Sequence, residues 1–504
     1  MHFRSSLAVF LLLARGSLGA LRSFEFTIHT GQRAPEVYLI NNQQPAPHIE
    51  ADEGDTLEVF VKNELPVETT IHWHGMLQRG TPDMDGVPGV TQSAISPGGN
   101  FTYRFSLDDQ YGFYWYHSHF RAYYNDAIRG SITIHPKKSR LRPFDSLIAD
   151  GNDYNTLLEA ERTATPVLLT DWYHNMSDEV YADYMMTGAF PSCVDSLLAN
   201  GMGRVQCLPQ DILDCGTNLC MDSNDRSSIE TSRSTTSTTM SSGTSVSMPI
   251  ASSPSMEMVS GTSMSMPIPS VSTIDHMRGW LALDLVNAGS TSKLSVSLDS
   301  HSMFVYAADG LYVVMQQVEV LPIAIGQRYS VMIKLDQSPG QYYLRFAAVP
   351  IGDMQQVIEG TALVEYTFNG TASLNHTISL ANVSAKPPFG IYDDLEAVHL
   401  LVNGSAKEKA SSLLVEDLVP FESIPPPAGP VAETKSFNIS QTDIVVWVID
   451  GHPYAEPKIP IIHGNVSDGW NANTTLHMPS NSAIDIIMRI SSDSMDTASL
   501  PCSP

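Results

Sequence analysis

The sequence has little positive charge and little cysteine. Its 504 residues include 28 Lys and Arg against 54 Asp and Glu, which gives a formal net charge of −26. So acidic a chain lacks the basic surface that binds nucleic-acid phosphates, and this excludes nucleic acid as a partner. Five cysteines are too few for a fold built from disulfides. Hydrophobic residues make up 42% of the chain, so it can bury a core, and its length suggests about three domains.

Long hydrophobic runs are also missing. The apolar run Leu7–Ala14 has eight residues, whereas a membrane-spanning helix needs about 18. This run follows the basic Arg4 and precedes the small residues of Ser17–Ala20, which is the pattern of a secretory signal peptide. We therefore assign residues 1–20 to a signal peptide and expect a soluble, secreted protein, extracellular or held in the cell wall, with no membrane partner.

Two further features fit an oxidising, extracellular compartment. Four of the five cysteines lie close together, as two local disulfides require, and three connectivities remain open: Cys193, Cys207, Cys215 and Cys220. Asn-x-Ser/Thr glycosylation acceptors crowd the later part of the chain. They are Asn100, Asn175, Asn369, Asn375, Asn382, Asn403, Asn438, Asn465 and Asn473.

Short alternating apolar segments separated by turn residues predict β-strands. In the first part of the chain Leu57, Val59 and Val61 fall on one face of such a segment, and no helical period exceeds two turns. A charged, irregular linker is expected from Lys137 to Thr163. We predict an all-β protein with strand-rich blocks at residues 21–137, 163–371 and 395–504.

The second block is interrupted by a segment with almost no aromatic residues. Residues 223–272 are dominated by Ser, Thr, Met and Pro, with one repeated pattern at Gly243–Ile250 and Gly261–Ile268. This composition buries too little apolar area to offset its ordering entropy, so we expect a disordered loop open to O-glycosylation. Its methionines are also soft Cu(I) ligands, which is the alternative to an inert insertion.

The strongest signal for chemistry is a pair of His-x-His motifs, His72/His74 and His117/His119. In a β-strand, residues i and i+2 project from the same face about 6.5 Å apart. Two such strands facing each other would converge four imidazoles on a small volume. The cluster would repel when protonated and leave polar nitrogens unpaired when neutral. A metal ion removes both problems, and imidazole binds Zn, Cu, Fe and Ni.

These motifs resemble the first two copper motifs of the multicopper oxidases, the family of laccases, ascorbate oxidases and ferroxidases. The resemblance extends over nearly the whole chain after residue 20, and the run 110–126 is most similar to fungal pigment-related or ferroxidase-like members. It implies three consecutive cupredoxin-like Greek-key β-sandwich domains, the third incomplete. The similar segments are 40–47, 53–55 and 85–92 for the first domain, 196–201, 286–289 and 326–330 for the copper-free second, and 481–488 for the third.

The resemblance implies a role for each histidine. His72 would bind the type 2 copper of a trinuclear cluster, His74 and His117 one type 3 copper, and His119 the other. Asp85 would be a catalytic carboxylate beside the cluster that helps deliver protons as dioxygen becomes water. An Asp before a glycine is also typical of a turn. We expect His301, which lies in a Ser-His-Ser turn, to serve the core or a turn. His452, His463 and His477 lack paired spacing, and we expect them at the surface.

The resemblance stops near residues 494–497. Family members continue with His-Pro-x-His-x-His and His-Cys-His motifs, which supply the other trinuclear ligands and the type 1 copper site. Here no histidine follows His477, and the last cysteine is Cys502. Two hypotheses follow. One is a monomeric copper oxidase that takes electrons from a phenol, a pigment precursor or Fe(II) and reduces dioxygen. The other is a truncated, non-catalytic cupredoxin-array protein without the type 1 site.

Overall fold

The computed structural model describes most of the chain between residues 19 and 495. Residues 1–18 of the predicted signal peptide, the four clustered cysteines and residues 223–269 of the predicted insertion lie outside the described residues. Residues 270–272, which we placed in the insertion, instead begin a strand. The described residues are 19–31, 37–149, 151, 153–188, 194–205, 270–350, 357–368, 371–372, 397–423, 425, 430–443, 446–464, 476, 478–479 and 482–495.

The first part of the chain folds into a sandwich of two four-stranded sheets. Its strands are β1 Leu21–Gly31, β2 Val37–Ile40, β3 Ala46–Asp52, β4 Thr56–Asn63, β5 His72–His74, β6 Asn100–Ser106, β7 Gly112–His117 and β8 Arg129–His135, with a 3-10 helix at Pro82–Met84. One sheet has the order β2-β1-β4-β6 and the other β3-β8-β7-β5. The chain therefore crosses repeatedly between the sheets, and the second sheet places β5 at an edge beside β7.

Alternation along the strands builds the core between these sheets. Leu57, Val59 and Val61 are completely buried, which confirms the predicted face of β4. They pack in one cluster with residues of the other sheet, including Ile132 and Tyr116. Burying an aliphatic side chain of this size stabilises the fold by about 1.5–3 kcal/mol. The core thereby holds both sheets in a fixed relation, and with them the strands that carry the histidines.

The linker that we expected to be irregular contains two helices, α1 Asp145–Ala149 and α2 Tyr154–Arg162. The Asp153 carboxylate caps α2 by accepting a hydrogen bond from the Asn155 N–H at 2.9 Å. Leu157 and Ala160, three residues apart, are buried in a cluster that includes Trp280 of the second sandwich. The expectation of an irregular linker was therefore wrong. The apolar stripe of α2 is short and lies among charged residues, so the sequence pattern did not reveal the helix.

A second, larger sandwich follows. Its seven-stranded sheet has the order β11-β10-β9-β13-β18-β15-β16, and its six-stranded sheet β12-β20-β19-β14-β17, with β21 paired to β20. These strands are β9 Thr165–Trp172, β10 Ser196–Ala199, β11 Met202–Val205, β12 Ser270–Asp275, β13 Trp280–Asn287, β14 Leu294–Leu298, β15 Met303–Ala308, β16 Leu311–Val318, β17 Leu321–Ile323, β18 Arg328–Lys334, β19 Gln341–Ala348, β20 Glu359–Phe368 and β21 Thr371–Ala372, with a 3-10 helix at His276–Arg278.

The second sandwich also carries a helix that the sequence did not lead us to expect, α3 Ser177–Thr187. Two acidic residues, Asp178 and Glu179, lie in its first turn, where they complement the helix dipole. It ends at Gly188, which adopts a left-handed conformation with φ of 68°. The Asp126 carboxylate of the first sandwich accepts hydrogen bonds from the Ser177 N–H and hydroxyl, so this helix joins the two sandwiches.

The later residues make one further sheet. Its strands, in the order β24-β23-β22-β25, are β22 Glu433–Asp443, β23 Val446–Ile449, β24 His452–Pro453 and β25 Ile484–Ile490. Residues 397–423, which include a 3-10 helix at Val415–Asp417, lie along the second sandwich instead. There Ser412 bridges Val320, and the Phe421 N–H donates to the Tyr312 carbonyl at 2.9 Å.

One face of this last sheet is apolar. The register pairs Phe437 with Met488, and Ile439 with both Ile449 and Ile490, so these side chains share a face. Within the described part of the chain the face is open to solvent, with Met488 60% exposed. We call it the third-sheet face, and define it by Phe437, Ile439, Trp447, Ile449, Ile486 and Met488.

Candidate metal centre

Strand pairing brings the two His-x-His motifs together. β5 runs antiparallel to β7, with His72 opposite His117 and His74 opposite Trp115. Trp73, between the two histidines of β5, points the other way and is completely buried in the sandwich core. The buried tryptophan fixes which face of β5 turns inward, and so both histidines face outward on the same side.

All four predicted histidines meet in one cluster. The His72 ring lies 5.7 Å from that of His74, 5.3 Å from that of His117 and 5.1 Å from that of His119, measured between centroids. One ring nitrogen from each of His72, His74 and His117 lies within 4.8 Å of the other two. The shortest approach joins His74 Nδ1 and His117 Nε2, at 3.3 Å.

Backbone carbonyls settle which nitrogens of two of these rings face the cluster. His72 Nδ1 lies 2.7 Å from the Asp85 carbonyl, and His117 Nδ1 lies 2.8 Å from the Ser118 carbonyl. A carbonyl only accepts, so both Nδ1 atoms carry a proton and donate it. The Nε2 atoms of His72 and His117 therefore present lone pairs, as a metal ligand must.

Burial disfavours the charged form of the three inner histidines, His72, His74 and His117. Burial lowers the pKa of His72 below its ordinary value, and lowers that of His117 well below it. The pKa of His74 falls to about 3, chiefly because of burial and then because of the nearby Arg328 charge. Trp115 stacks on His117 with ring centroids 4.2 Å apart and so helps to keep water from the rings. Neutral imidazoles are the form that binds a metal ion.

Asp85 lies at the rim of the cluster, in a turn. Its N–H donates to the Pro82 carbonyl at 3.3 Å and its carbonyl accepts from His72, while its carboxylate Oδ1 lies 3.5 Å from His72 Nδ1. Asp85 therefore lies in a turn, as local sequence predicts, and also beside the histidine cluster, as the resemblance implies.

The second sandwich contributes two residues to which the sequence assigned no role. An added Cβ on Gly326 would lie 3.0 Å from His74 Cε1 and 3.1 Å from His74 Nε2, so this glycine abuts the ring. The Arg328 guanidinium is buried and lies against Gly75, the residue after His74. The sequence analysis noted only that residues 326–330 resemble a segment of the family's second domain. Spacing along the chain could not show that this segment contacts β5.

The donor set fits copper. Two imidazole nitrogens that each lie about 2.0 Å from one ion at a tetrahedral angle are about 3.3 Å apart, which matches the distance between His74 Nδ1 and His117 Nε2. Neutral imidazole is among the ligands that copper prefers.

The remaining histidines lie apart from this cluster where the structure describes them. His301 is buried in the second sandwich, where its Nδ1 donates to the Asp299 carbonyl at 2.6 Å and its Nε2 bonds the Tyr366 hydroxyl at 2.6 Å. It thus serves the core, as expected. His463 is exposed, and His477 lies outside the described residues. None of the described helices has the length and apolar character to cross a membrane.

A β-sandwich that brings four imidazoles together on one side of two paired strands is the arrangement of a metalloprotein. Comparison with known sequences names the class. Residues 25–139 match one multicopper oxidase family profile, and residues 163–260 and 281–382 match another.

Similar sequences agree with these profiles. The chain is 31% identical to a laccase of Pestalotiopsis fici over 90% of this chain and 71% of that protein. It is 30% identical to Laccase-1 of Emericella nidulans over 94% of this chain and 78% of that protein. Laccase abr2 of Aspergillus fumigatus is 34% identical over 68% of this chain and 58% of that protein.

Solved structures show the same fold. Fet3p, described as a multicopper oxidase that functions in iron import, matches with a TM-score of 0.57 and 19% identity over 93% of this chain and 73% of that chain. The laccase of Botrytis aclada matches with a TM-score of 0.53 and 23% identity over 86% of this chain and 64% of that chain. The chain belongs to the multicopper oxidases, a family of copper-dependent oxidoreductases that use dioxygen and a reducing substrate. The all-β, cupredoxin-like fold predicted from sequence is confirmed.

Proposed function

We propose that this chain carries the first-domain half of the trinuclear copper centre of a secreted oxidase, which takes single electrons from a small reducing substrate and reduces dioxygen to water. The observation that carries the proposal is the 3.3 Å approach of His74 Nδ1 and His117 Nε2 within a cluster of four imidazoles. When bound, copper would supply the one-electron couple that links the reducing substrate to dioxygen.

The geometry supports a division of the ligands. His74 and His117, whose nitrogens face each other, would hold one type 3 copper. His72 turns its Nε2 to the cluster because Asp85 fixes its Nδ1, and it would hold the type 2 copper. The His119 ring lies 5.1 Å from the His72 ring and 5.9 Å from the His117 ring. This position suits a ligand of the second type 3 copper.

Asp85 would act in two ways. Its carbonyl holds the His72 proton on Nδ1 and so keeps Nε2 available for a metal ion. Its carboxylate is partly open to solvent and reaches to within 3.5 Å of the same ring, so Oδ1 can take a proton from water and pass it toward the cluster.

The reducing substrate belongs to one of two classes. The relatives named laccase favour a phenol or a pigment precursor, and the structural neighbour that functions in iron import favours Fe(II). The described residues around the four histidines do not separate these classes.

The wider organisation is part of the proposal. We propose a signal peptide at residues 1–20, a first cupredoxin domain at 21–137, a second at 163–371 interrupted near 223–272, and an incomplete third within 395–504. The third would begin its own sheet near residue 430, since residues 397–423 pack on the second sandwich. We further propose a monomeric glycoprotein with two disulfides among Cys193, Cys207, Cys215 and Cys220.

A second candidate function is copper binding without catalysis. The printed sequence contains no His-Cys-His run, and the described residues after 430 form one sheet with an open apolar face. Without a type 1 copper this chain would have no site that accepts electrons from the substrate. We therefore expect the chain alone to show no intense blue absorption and only background oxidation of phenols or Fe(II).

One experiment tests both candidates. The third sheet is replaced by the corresponding region of the Pestalotiopsis fici laccase, and copper content, visible absorption and oxygen uptake are measured with a phenol and with Fe(II). The oxidase proposal expects uptake that disappears in the His117→Ala chimera but persists in the chimera carrying His174→Ala, which alters an exposed histidine outside the replaced region. A blue, copper-loaded chimera that consumes no oxygen would favour the binding-only candidate. Uptake unaffected by His117→Ala would overturn the assignment of the ligands.

A further inference from the structure

His74 is held differently from the other inner histidines. Carbonyls of the first sandwich fix His72 and His117 through Nδ1. Among the described residues no carbonyl holds His74, whose ring bonds only the Nε2 of His117. Its ring packs against Trp115 at 5.0 Å, and the Nε2 edge meets Gly326 of the second sandwich.

We propose that the Gly326–Arg328 turn is a positioning element for His74, which walls off Nε2 and thereby directs Nδ1 to the metal position. The role of the metal rests on the proposed function, whereas the orientation of the ring does not. Gly326 suits this place because it has no side chain: a methyl group there would lie 3.0–3.1 Å from the ring, closer than ordinary van der Waals contact.

The turn is rigid enough to act as a wall. The Gly326 N–H donates to the Asn287 carbonyl at 2.8 Å, and the Asn287 N–H donates to the Gln327 carbonyl at 3.2 Å. The Gln327 side chain accepts from the Ala324 N–H at 2.9 Å. These bonds anchor the turn to the end of β13, in the core of the second sandwich.

Arg328 fastens the turn to the first sandwich. Its Nε donates to the Phe113 carbonyl at 3.3 Å, and its Nη1 donates to the Gly326 carbonyl at 3.2 Å. The guanidinium also lies over the Tyr114 ring, 5.5 Å from its centroid. One planar group thus bridges β7 and the turn, and it covers Gly75, next to His74.

With the wall holding Nδ1 toward His117, the contact between the two rings predicts the tautomer of His74 in the metal-free protein. His117 Nε2 bears no proton, because the His117 proton is donated from Nδ1 to Ser118. The His74 nitrogen that faces it is Nδ1, so Nδ1 must be the donor. His74 should therefore be the Nδ1–H tautomer in the metal-free protein, and an ion that binds at Nδ1 would displace this proton to Nε2 or to solvent.

The test compares two glycines of the second sandwich in the full chain. Gly326→Ala places its methyl group against His74, and Gly279→Ala is the matched control, because φ is 80° at Gly326 and 78° at Gly279 but an added Cβ at Gly279 meets nothing within 4 Å. Both substitutions place an L-residue at a positive φ of nearly the same size. Arg328→Lys, which keeps the charge and loses the fork, is the second variant should Gly326→Ala fail to fold.

Two readouts separate this inference from the proposed function. Long-range ¹H–¹⁵N spectra of metal-free protein, with His74 assigned through His74→Gln, report its tautomer without copper. Competition titration with Cu(I) reports affinity. We expect Gly326→Ala and Arg328→Lys to turn the His74 ring so that Nδ1 no longer faces His117 Nε2. The Nδ1–H form then loses its acceptor and becomes less populated, and copper binding weakens about 10–100-fold because Nδ1 no longer faces the metal position, while Gly279→Ala changes neither.

An unchanged His74 tautomer in either variant would overturn the inference, whatever happens to copper. If the unaltered chain binds no copper while the tautomer responds as expected, the positioning role stands and the proposed function fails.

Discussion

His72 lies directly opposite His117 in the antiparallel ladder of β5 and β7. The pairing register decides the site, because a slip of one residue would turn one motif to the other face of the sheet. The register is held from behind by Trp73 and Tyr116, which also pair and are completely buried in the core. The chemistry on one face thus depends on packing on the other.

The facing nitrogens of His74 and His117 predict non-additive effects. Because both would bind the same ion, His74→Ala and His117→Ala should each weaken copper binding at least 10-fold, and the double variant should be no weaker than the worse single variant. Copper competition titrations measure this, with the exposed His463→Ala as control. Additive losses would mean that the two rings bind different ions.

Replacing Arg345, which lies away from the histidine cluster, should greatly lower the free energy of unfolding. It is buried and pairs with Asp299 at 2.7 Å and with Glu359 at 2.8 Å, both also buried. Arg345→Met would leave two carboxylates without their cation, which costs about 3–5 kcal/mol of unfolding free energy. Burial raises the pKa of both carboxyls, so they take up protons as pH falls, and the loss should shrink toward pH 4.

The control for that prediction is Arg104→Met, which removes an exposed ion pair with Glu58. It should cost less than about 1 kcal/mol. Denaturant unfolding of both variants at pH 7 and pH 4.5 gives the comparison. If both variants lost the same unfolding free energy, burial of the Arg345 ion pairs would not explain the effect.

Asp284 predicts a pH dependence of stability. Burial raises its pKa to about 7, and its Oδ1 accepts a hydrogen bond from the Ser330 hydroxyl at 2.5 Å. Between about pH 4 and pH 7 the folded protein holds a proton that the unfolded chain has lost, so this group makes stability fall as pH rises. The slope is at most about 1.4 kcal/mol per pH unit.

Asp284→Asn keeps the acceptor for Ser330 and cannot titrate. Its stability relative to the unaltered protein should therefore improve from pH 5 to pH 7.5, as measured by melting temperatures in matched buffers. Parallel pH profiles for the two proteins would contradict the assignment of this proton to Asp284.

The third-sheet face predicts self-association. Contiguous exposed apolar side chains bind hydrophobic dyes and promote aggregation. Met488→Lys, on that face, should lower dye fluorescence and light scattering. Thr434→Lys is the matched control, since it adds the same charge to an exposed position on the opposite face of the same sheet. An equal effect of both substitutions would point to net charge rather than to the apolar face.

The sequence predicted those parts of the molecule that depend on local pattern. Spacing of i and i+2 in strands was enough to propose that His72 and His74 share a face, and alternation identified the buried face of β4. It missed α2 because Leu157 and Ala160 form only a short apolar stripe among charged residues. It missed Gly326 because contact with His74 depends on how two sandwiches dock, and no local pattern encodes that.

The contact between Gly326 and His74 has a consequence for biosynthesis. During synthesis β5 and β7 emerge well before the Gly326 turn, so a first sandwich that folds early has its cluster without a wall. Copper captured then would find His74 free to present either nitrogen. The finished arrangement becomes available only once the second sandwich has docked, so on the proposed function correct metal loading would follow the folding of both sandwiches.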